Sequence, residues 1–237
     1  IGLSIIIGKT PVAILTALGA SAAVLMLVFQ DTILGLVASI QLTANKMLQR
    51  GDWIEDKAND VNGEVLEVTL TAVKVRNWDN SVSTVPPYSL LKGSFRNYQP
   101  MRRSGGRRVE RPIYIDMNTV RFCTPEELDA LSAAGWLEGI DADKAAHTVN
   151  LQLLRRYLER YLSTHPEINH DMTCMVRQLS PTQSGLPLEL YFFIANVEWV
   201  SFERIASDIF DHVYAVVRHF GLAIYQTPSG IDFARIK

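Results

Sequence analysis

The strongest constraint on the fold is a long uncharged run near the N-terminus. Residues 12–30 carry no charge, and after Asp31 the apolar character continues to Ile40. At a helical rise of about 1.5 Å per residue the uncharged run covers roughly 28 Å, close to the hydrocarbon thickness of a bilayer. A secretory signal peptide has a shorter apolar core, and a buried core helix rarely avoids charge for so long. The sequence therefore predicts a membrane-spanning helix.

Flanking residues indicate how this helix is oriented. Lys46 and Arg50 directly follow the apolar run, and by the positive-inside tendency they place the large C-terminal part in the cytoplasm. Residues 1–8 are themselves apolar, so we expect the tail of a preceding membrane segment there and a multi-pass protein. The expected organisation is a membrane segment over residues 1–50, a β module over 51–100 and a cytoplasmic domain over 101–237.

Small residues in the first half of the run favour close helix packing. Because lipid offers little hydrophobic drive between helices, small side chains that let backbones approach are a major means of association. A single lipid anchor would be served equally well by large apolar residues. We therefore predict a packed helix bundle with these positions at its contacts: Ala13, Ala17, Gly19 and Ala20.

A break is expected where the first polar residues occur. Asp31 is a good N-cap, and a carboxylate at membrane depth is costly, so we expect one helix to end near Gln30 and a second to cover residues 32–48. The second helix would lie along the membrane interface with an apolar side formed by Ile33, Leu36, Val37 and Ile40.

The remainder reads as two folded modules. In residues 51–100, alternating residues 63–75, a turn at 77–80 and a strand that Pro86 ends predict a small all-β (Sm-like) barrel. In residues 101–237, Thr124-Pro125 starts a helix, residues 149–162 form an amphipathic helix, and Gly221 ends another. With strands at 109–116, 172–179, 188–195, 223–226 and 231–236, this is an α+β (ferredoxin-like) domain, and residues 135–143 look like an insertion.

Catalytic chemistry is not indicated. Cys123 and Cys174 lie far apart without metal-ligand spacing, and His165, His170 and Asp171 read as a solvated loop more readily than as a metal site. A net charge of −2 gives no argument for nucleic acid. We expect no enzyme activity, no cofactor, no metal and no small-molecule substrate.

Several motifs in a fixed order resemble a known family. They are the small-residue helix ending in Gln30-Asp31, then Gly51-Asp-Trp-Ile-Glu, Gly63-Glu-Val-Leu-Glu-Val, Trp78-Asp79-Asn80 and Val85-Pro86. Together they resemble the family of the mechanosensitive channel of small conductance, most closely its miniconductance (YbdG-like) members.

The resemblance implies a homoheptamer in the bacterial inner membrane that opens under tension during hypoosmotic shock and releases ions and small osmolytes. It implies that Ala23 and Leu27 form the constriction of the pore, which Gln30 also lines. The family's two bending positions fall on Asp31 and Ser39.

A second hypothesis is a membrane-tethered binding or scaffold module. In that case the helix only anchors a β module that recognises a partner. Aromatic residues interleaved with basic ones would favour nucleic acid, but acidic residues are as frequent as basic ones around Trp53 and Trp78. Self-association separates the two hypotheses, since a pore needs a ring of copies.

Overall fold

In the computed structural model, residues 10–140 and 147–227 are described. They form two compact units, the first ending at Pro100 and the second beginning at Met101. The helices are α1 (Pro11–Ala44), α2 (Pro87–Lys92), α3 (Gln99–Ser104), α4 (Pro125–Ala133), α5 (Asn150–Thr164) and α6 (Trp199–Val216). The strands are β1 (Trp53–Asp56), β2 (Val61–Val68), β3 (Val73–Asn77), β4 (Val82–Val85), β5 (Arg96–Asn97), β6 (Arg107–Ile115), β7 (Met175–Gln178) and β8 (Leu186–Ile194).

Helix α1 runs without interruption through the predicted break. Thr10 is its N-cap, with its hydroxyl accepting from the Ala13 N–H at 3.4 Å, and Asn45 is its C-cap. The expectation that Asp31 caps a second helix is therefore wrong. An aspartate inside a helix costs only about 0.7 kcal/mol relative to alanine, which is too little to interrupt the backbone hydrogen bonds on either side.

The first unit contains a five-stranded antiparallel sheet in the order β4-β3-β2-β1-β5. The alternating residues 63–75 do not form one strand as expected. They fold back at residues 69–72 into the β2–β3 hairpin, with Val68 paired to Val73. Closure of this sheet into an Sm-like barrel stays a prediction.

The core of the sheet includes residues that lie outside the predicted β module. Leu42 of α1 and Leu48 of the following loop are fully buried with Ile54, Val65 and Val75. Helix α1 also packs against the short helix α2. The end of the apolar helix and the β module thus share one hydrophobic core, rather than dividing at residue 50.

The second unit packs helices on a three-stranded antiparallel sheet in the order β6-β8-β7. Strand β8 is the central strand and is buried along most of its length. Helices α5 and α6 direct their apolar stripes into the same core, which holds Leu154, Leu158, Ile209 and Val213. The observed architecture is α+β, while its ferredoxin-like classification stays a prediction.

Most local signals of the second unit are confirmed. Thr124 and Glu127 form a reciprocal capping box at α4, and a paired contact with Arg121 helps lower the pKa of the Glu127 carboxyl to about 2. A 3₁₀ turn, Val217–Phe220, follows α6 and ends at Gly221 in the left-handed region.

The predicted C-terminal strands and the predicted insertion of this unit are not confirmed. Residues 223–226 contribute one isolated bridge, between Ile224 and Ile115, instead of a strand. The predicted strand at 231–236 and the part of the predicted insertion at 141–146 lie outside the described residues. The described start of that insertion turns at Gly135 and Gly139, both with positive φ.

Candidate pore helix and its attachment to the β module

The first half of α1 is exposed along the whole of its described surface. Leu25 is 57% exposed and Leu27 is 75% exposed, although both are large apolar residues. Among the described residues, one stretch is long and apolar enough to cross a membrane, Leu15–Ala44. Apolar surface of this extent requires lipid or other helices around it.

Polar side chains in this half are satisfied within the helix. The Thr16 hydroxyl donates to the Val12 carbonyl and the Ser21 hydroxyl donates to the Ala17 carbonyl, each at 2.9 Å. Hydroxyls that bond back to the preceding turn carry no unsatisfied group into an apolar environment. The helix therefore fits a membrane despite these residues.

The predicted packing residues lie on two lines along α1. Successive residues of a helix are turned by about 100°, so Ala13, Ala17 and Ala20 share one line. Gly19 lies about 120° around the helix axis from that line. The structure therefore does not gather the four residues on one face; it gives the helix two small-residue flanks.

The predicted gate residues fall in the sector between these flanks. Ala23 and Leu27 are one turn apart, and each is about 40° from the nearer flank. An open groove of about 500 Å³ is lined by Ala23, Met26, Leu27, Gln30, Ile33 and Leu34. The structure thus brings Ala23, Leu27 and Gln30 together on one apolar surface.

The second half of α1 has one buried face. Gly35, Ala38, Ser39 and Leu42 are buried at the spacing of a single helix face. The opposite side is exposed and apolar, and consists of Ile33, Leu36, Val37 and Ile40. The predicted apolar side is therefore present, and the opposite face, which includes the small residues Gly35, Ala38 and Ser39, faces the β module.

A hydrogen bond fixes this contact. The Ser39 hydroxyl is buried and donates to the Thr69 carbonyl at 2.8 Å. A Cβ on Gly35 would lie 3.9 Å from the Leu70 carbonyl oxygen, so the hairpin passes close beside the helix there. Ser39 does not break the helix in this structure, because its backbone stays helical while its side chain bonds outward.

The turn that accepts this bond is itself held by Thr69. Its hydroxyl accepts from the Ala72 N–H at 3.0 Å, and its own N–H donates to the Ala72 carbonyl at 2.8 Å. Leu70 and Thr71 form the tip between them. The hairpin therefore offers a fixed carbonyl to the helix instead of a mobile loop.

A buried carboxylate organises the loop that follows α1. Asp52 is 5% exposed and accepts from the Gln49 N–H at 2.9 Å and from the Asn97 amide at 2.8 Å. The same Asn97 amide donates to the Met47 carbonyl at 3.1 Å. Asn97 lies on β5, so residues 47–52 are tied to the edge of the sheet. In the sequence, this network is indicated only by the Gly51-Asp52 pair, which is typical of a turn.

Three aromatic residues of the β module, Trp53, Trp78 and Tyr98, contact one another. The indole N–H groups of Trp53 and Trp78 both donate to Asn62 Oδ1, at 2.8 and 3.0 Å. Tyr98 stacks on Trp53 at 4.2 Å and donates to Glu55, and burial together with Glu55 raises the pKa of its phenol. This arrangement has the character of a structural cluster rather than an open stacking platform for bases.

Within the described parts of the chain, three or more His, Cys, Asp and Glu side chains nowhere form a group that could hold a metal ion. The thiols of Cys123 and Cys174 are half-buried, and burial raises the pKa of both. A raised thiol pKa lowers the fraction of reactive thiolate.

Comparison with known proteins finds relatives that share these features. The family profile described as "Mechanosensitive ion channel, beta-domain" matches residues 31–100. An uncharacterised MscS family protein of Helicobacter pylori is 30% identical over 215 residues, which cover 89% of this chain and 34% of the relative. The small-conductance mechanosensitive channel MscMJ of Methanocaldococcus jannaschii is 30% identical over 113 residues, covering 48% of this chain and 31% of that protein. The chain thus spans about a third of the length of these curated relatives.

A solved structure shows the same fold. The closed-state crystal structure of Helicobacter pylori MscS matches with a TM-score of 0.63 at 14% identity, covering 94% of this chain and 74% of that one. The profile lies on the second half of α1 and the β module, where the helix is fixed to the sheet. The match to the Helicobacter relative extends over nearly the whole chain. Residues 31–100 thus match the β-domain of mechanosensitive ion channels, and the chain as a whole is similar to proteins of the MscS family.

Proposed function

We propose that this chain is part of a subunit of a mechanosensitive channel, in which the first halves of α1 from several copies surround a pore. The observation that carries the proposal is the exposed apolar surface of α1 around Leu27, on a helix that is bonded to a folded module through Ser39 and Thr69. The family of the relatives supports the same activity.

Helix geometry supports a ring of copies. In a closed ring each helix contacts two neighbours, and in rings of roughly six to eight copies these lie about 120–135° apart around the helix axis. The flanks formed by Gly19 on one side and by Ala13, Ala17 and Ala20 on the other have about this separation. A helix packed through both flanks turns Ala23 and Leu27 toward the ring axis. The number seven comes from the family resemblance.

The gate follows from the chemistry of that surface. A ring of leucine side chains makes a narrow apolar constriction, which excludes ions because water is unstable in it. Leu27 supplies the bulk, and Ala23 leaves more space one turn away. Leu27 is therefore the principal barrier in this proposal, and Gln30 marks the polar end of the constriction.

Opening requires a state with a larger area in the membrane. Tension shifts an equilibrium only when its two states differ in that area, and separation of the α1 helices provides such a difference. The bond from Ser39 to Thr69 then transmits helix movement to the β module.

We extend the proposal to the cellular role. The protein is a multi-pass protein of a bacterial inner membrane, a homoheptamer of the miniconductance type with a cytoplasmic C-terminal domain. It releases ions and small osmolytes during hypoosmotic shock. The positive residues that follow α1 and the family of its relatives support this placement.

The oligomeric state of the full-length protein in lipid nanodiscs tests this proposal. A closed ring with α1 helices around its axis, seen by electron microscopy, is expected. A monomer or a symmetric dimer without a central passage would contradict it and favour the membrane-tethered module. Gly19→Leu provides a test of the flank, because a bulky side chain should prevent ring closure, whereas Leu25→Ile, on the side away from the axis, should leave the ring intact.

A further inference from the structure

The tip of the β2–β3 hairpin presents an uncharged apolar surface beside α1. Leu70 is 57% exposed, and Thr71 next to it is exposed as well. The hydrogen bonds between Thr69 and Ala72 hold this two-residue tip in a fixed position. A single exposed leucine is ordinary on a protein surface, so its meaning depends on where the tip is placed.

The hairpin tip runs along α1 toward the uncharged segment. Thr69 bonds to Ser39, and the Leu70 carbonyl lies beside Gly35. Thr71 lines a groove of about 460 Å³ together with Asp31. From residue 39 to residue 31 the helix rises about 12 Å. The tip therefore reaches the level at which the uncharged run of α1 ends.

Other residues at this level have the same character. On α1 the exposed side is apolar, with Ile33 and Val37 at that height. Tyr88 of α2 lines the same groove and is partly exposed, and tyrosine is enriched at the boundary between lipid and water. The first charges behind the tip, Glu67 and Lys74, face each other across the hairpin in an ion pair of 3.0 Å.

We propose that the hairpin tip is a second membrane contact, in which Leu70 enters the interfacial region of the leaflet next to the β module. The partner is the lipid bilayer itself, recognised by apolar burial and by the lack of net charge rather than by a specific headgroup. The proposal rests on the membrane placement of α1 in the proposed function. Because the tip reaches the level at which the uncharged run of α1 ends, the lipid boundary that surrounds the helix at this height also reaches Leu70.

Such a contact attaches the β module to the membrane surface directly, in addition to its attachment through α1. The tip is bonded to α1 through Thr69, so a movement of the leaflet surface acts on the helix at Ser39 as well as on its membrane-spanning half. The contact therefore adds a route by which lipid acts on the helix.

Site-directed spin labelling of the full-length protein in liposomes tests this contact. Nitroxides are attached at Leu70→Cys, at Leu25→Cys within the uncharged run and away from the proposed packing flanks, and at Val82→Cys as the matched control. Val82 is an apolar residue of the same module with 55% exposure, but it lies on the edge strand β4. The background carries Cys123→Ala and Cys174→Ala. Collision rates with oxygen, which concentrates in lipid, and with a water-soluble nickel chelate are compared.

The expected result is a ratio of oxygen to nickel collisions at position 70 that lies between those at positions 25 and 82, and at least twofold above the value at 82. A value at 70 equal to that at 82, with a lipid value at 25, would overturn the contact and leave the membrane helix standing. Low collision rates with both reagents at 70 would also overturn it, because a protein surface would then cover the tip. A water value at 25 would contradict the proposed function itself.

Discussion

The Ser39 hydroxyl lies 2.8 Å from the Thr69 carbonyl oxygen and donates a hydrogen bond to it. This bond connects α1 to the β2–β3 hairpin. Ser39 is buried, and Gly35 and Ala38 on the same face of the helix bring the two backbones close to it. This bond joins a helix with the character of a membrane span to a folded module.

Removal of this hydroxyl should weaken the attachment. Ser39→Ala leaves the half-buried Thr69 carbonyl without this donor, which costs about 0.5–1.5 kcal/mol of stability. We expect earlier unfolding of the first unit in denaturant and an altered pressure threshold in membranes. Ser21→Ala is the matched control, because that hydroxyl bonds within its own helix. An equal effect of both variants would show that the contact to Thr69 has no special role.

If Leu27 forms the gate, a polar substitution should cause an ion leak on the Leu27 face of α1 and not on the opposite face. Leu27→Ser should hydrate the constriction and allow ions through without tension, measured as slowed growth on expression and as current in unstressed patches. Leu25→Ser has the same chemistry on a helix side about 160° away from Leu27 and should behave as the parent. Normal growth of the Leu27→Ser strain at matched expression would place the gate elsewhere.

The close approach of β2 and β3 makes one glycine necessary. A Cβ on Gly63 would lie 1.9 Å from the Arg76 carbonyl oxygen, so Gly63→Ala must displace backbone. We expect a loss of several kcal/mol in unfolding free energy, of the order seen when cores are overpacked. Gly35→Ala is the control, since its Cβ would meet the Leu70 carbonyl oxygen at 3.9 Å. Equal stabilities of the two variants in urea titrations would contradict the packing described here.

Acid should weaken the second unit through two histidines. Burial lowers the pKa of His165 and of His212 below the ordinary 6.5, and His212 is hydrogen-bonded to the Tyr157 hydroxyl at 2.8 Å. The unfolded chain then takes up protons first as the pH falls below about 6.5, so stability declines from there down to the lowered pKa values and levels off beneath them.

Urea unfolding followed by near-ultraviolet circular dichroism between pH 7.5 and 5 measures this effect. His212→Asn should reduce the pH dependence, and Ser207→Ala, which removes an exposed hydroxyl from the same helix, should leave it unchanged. A stability that does not vary over this range in the parent protein would refute the assignment.

Much of the fold could be predicted from local patterns. The apolar period of α5, the capping box at Thr124 and Glu127, and the glycine after α6 act within a few residues, and the structure confirms them. The turn at residues 69–72 was missed because it contains neither glycine nor proline, asparagine nor aspartate, the residues that usually mark a turn.

The attachment of α1 could not be predicted, for a different reason. Ser39 and Thr69 meet across 30 residues of sequence, and Asp52 and Asn97 across 45. Their side chains are ordinary polar residues whose partners are decided by tertiary packing. Asp31 does not act as a helix cap. A residue that is favourable at a cap does not end a helix when the residues before and after it also favour helix.

A pressure-ramp patch recording on liposomes that contain the full-length protein measures tension gating itself. We expect discrete current steps that appear under suction and disappear on its release, with steps already present at rest for Leu27→Ser and not for Leu25→Ser. Silence up to patch rupture, from patches in which an assembled and oriented protein is verified, would contradict a tension-gated pore around Leu27.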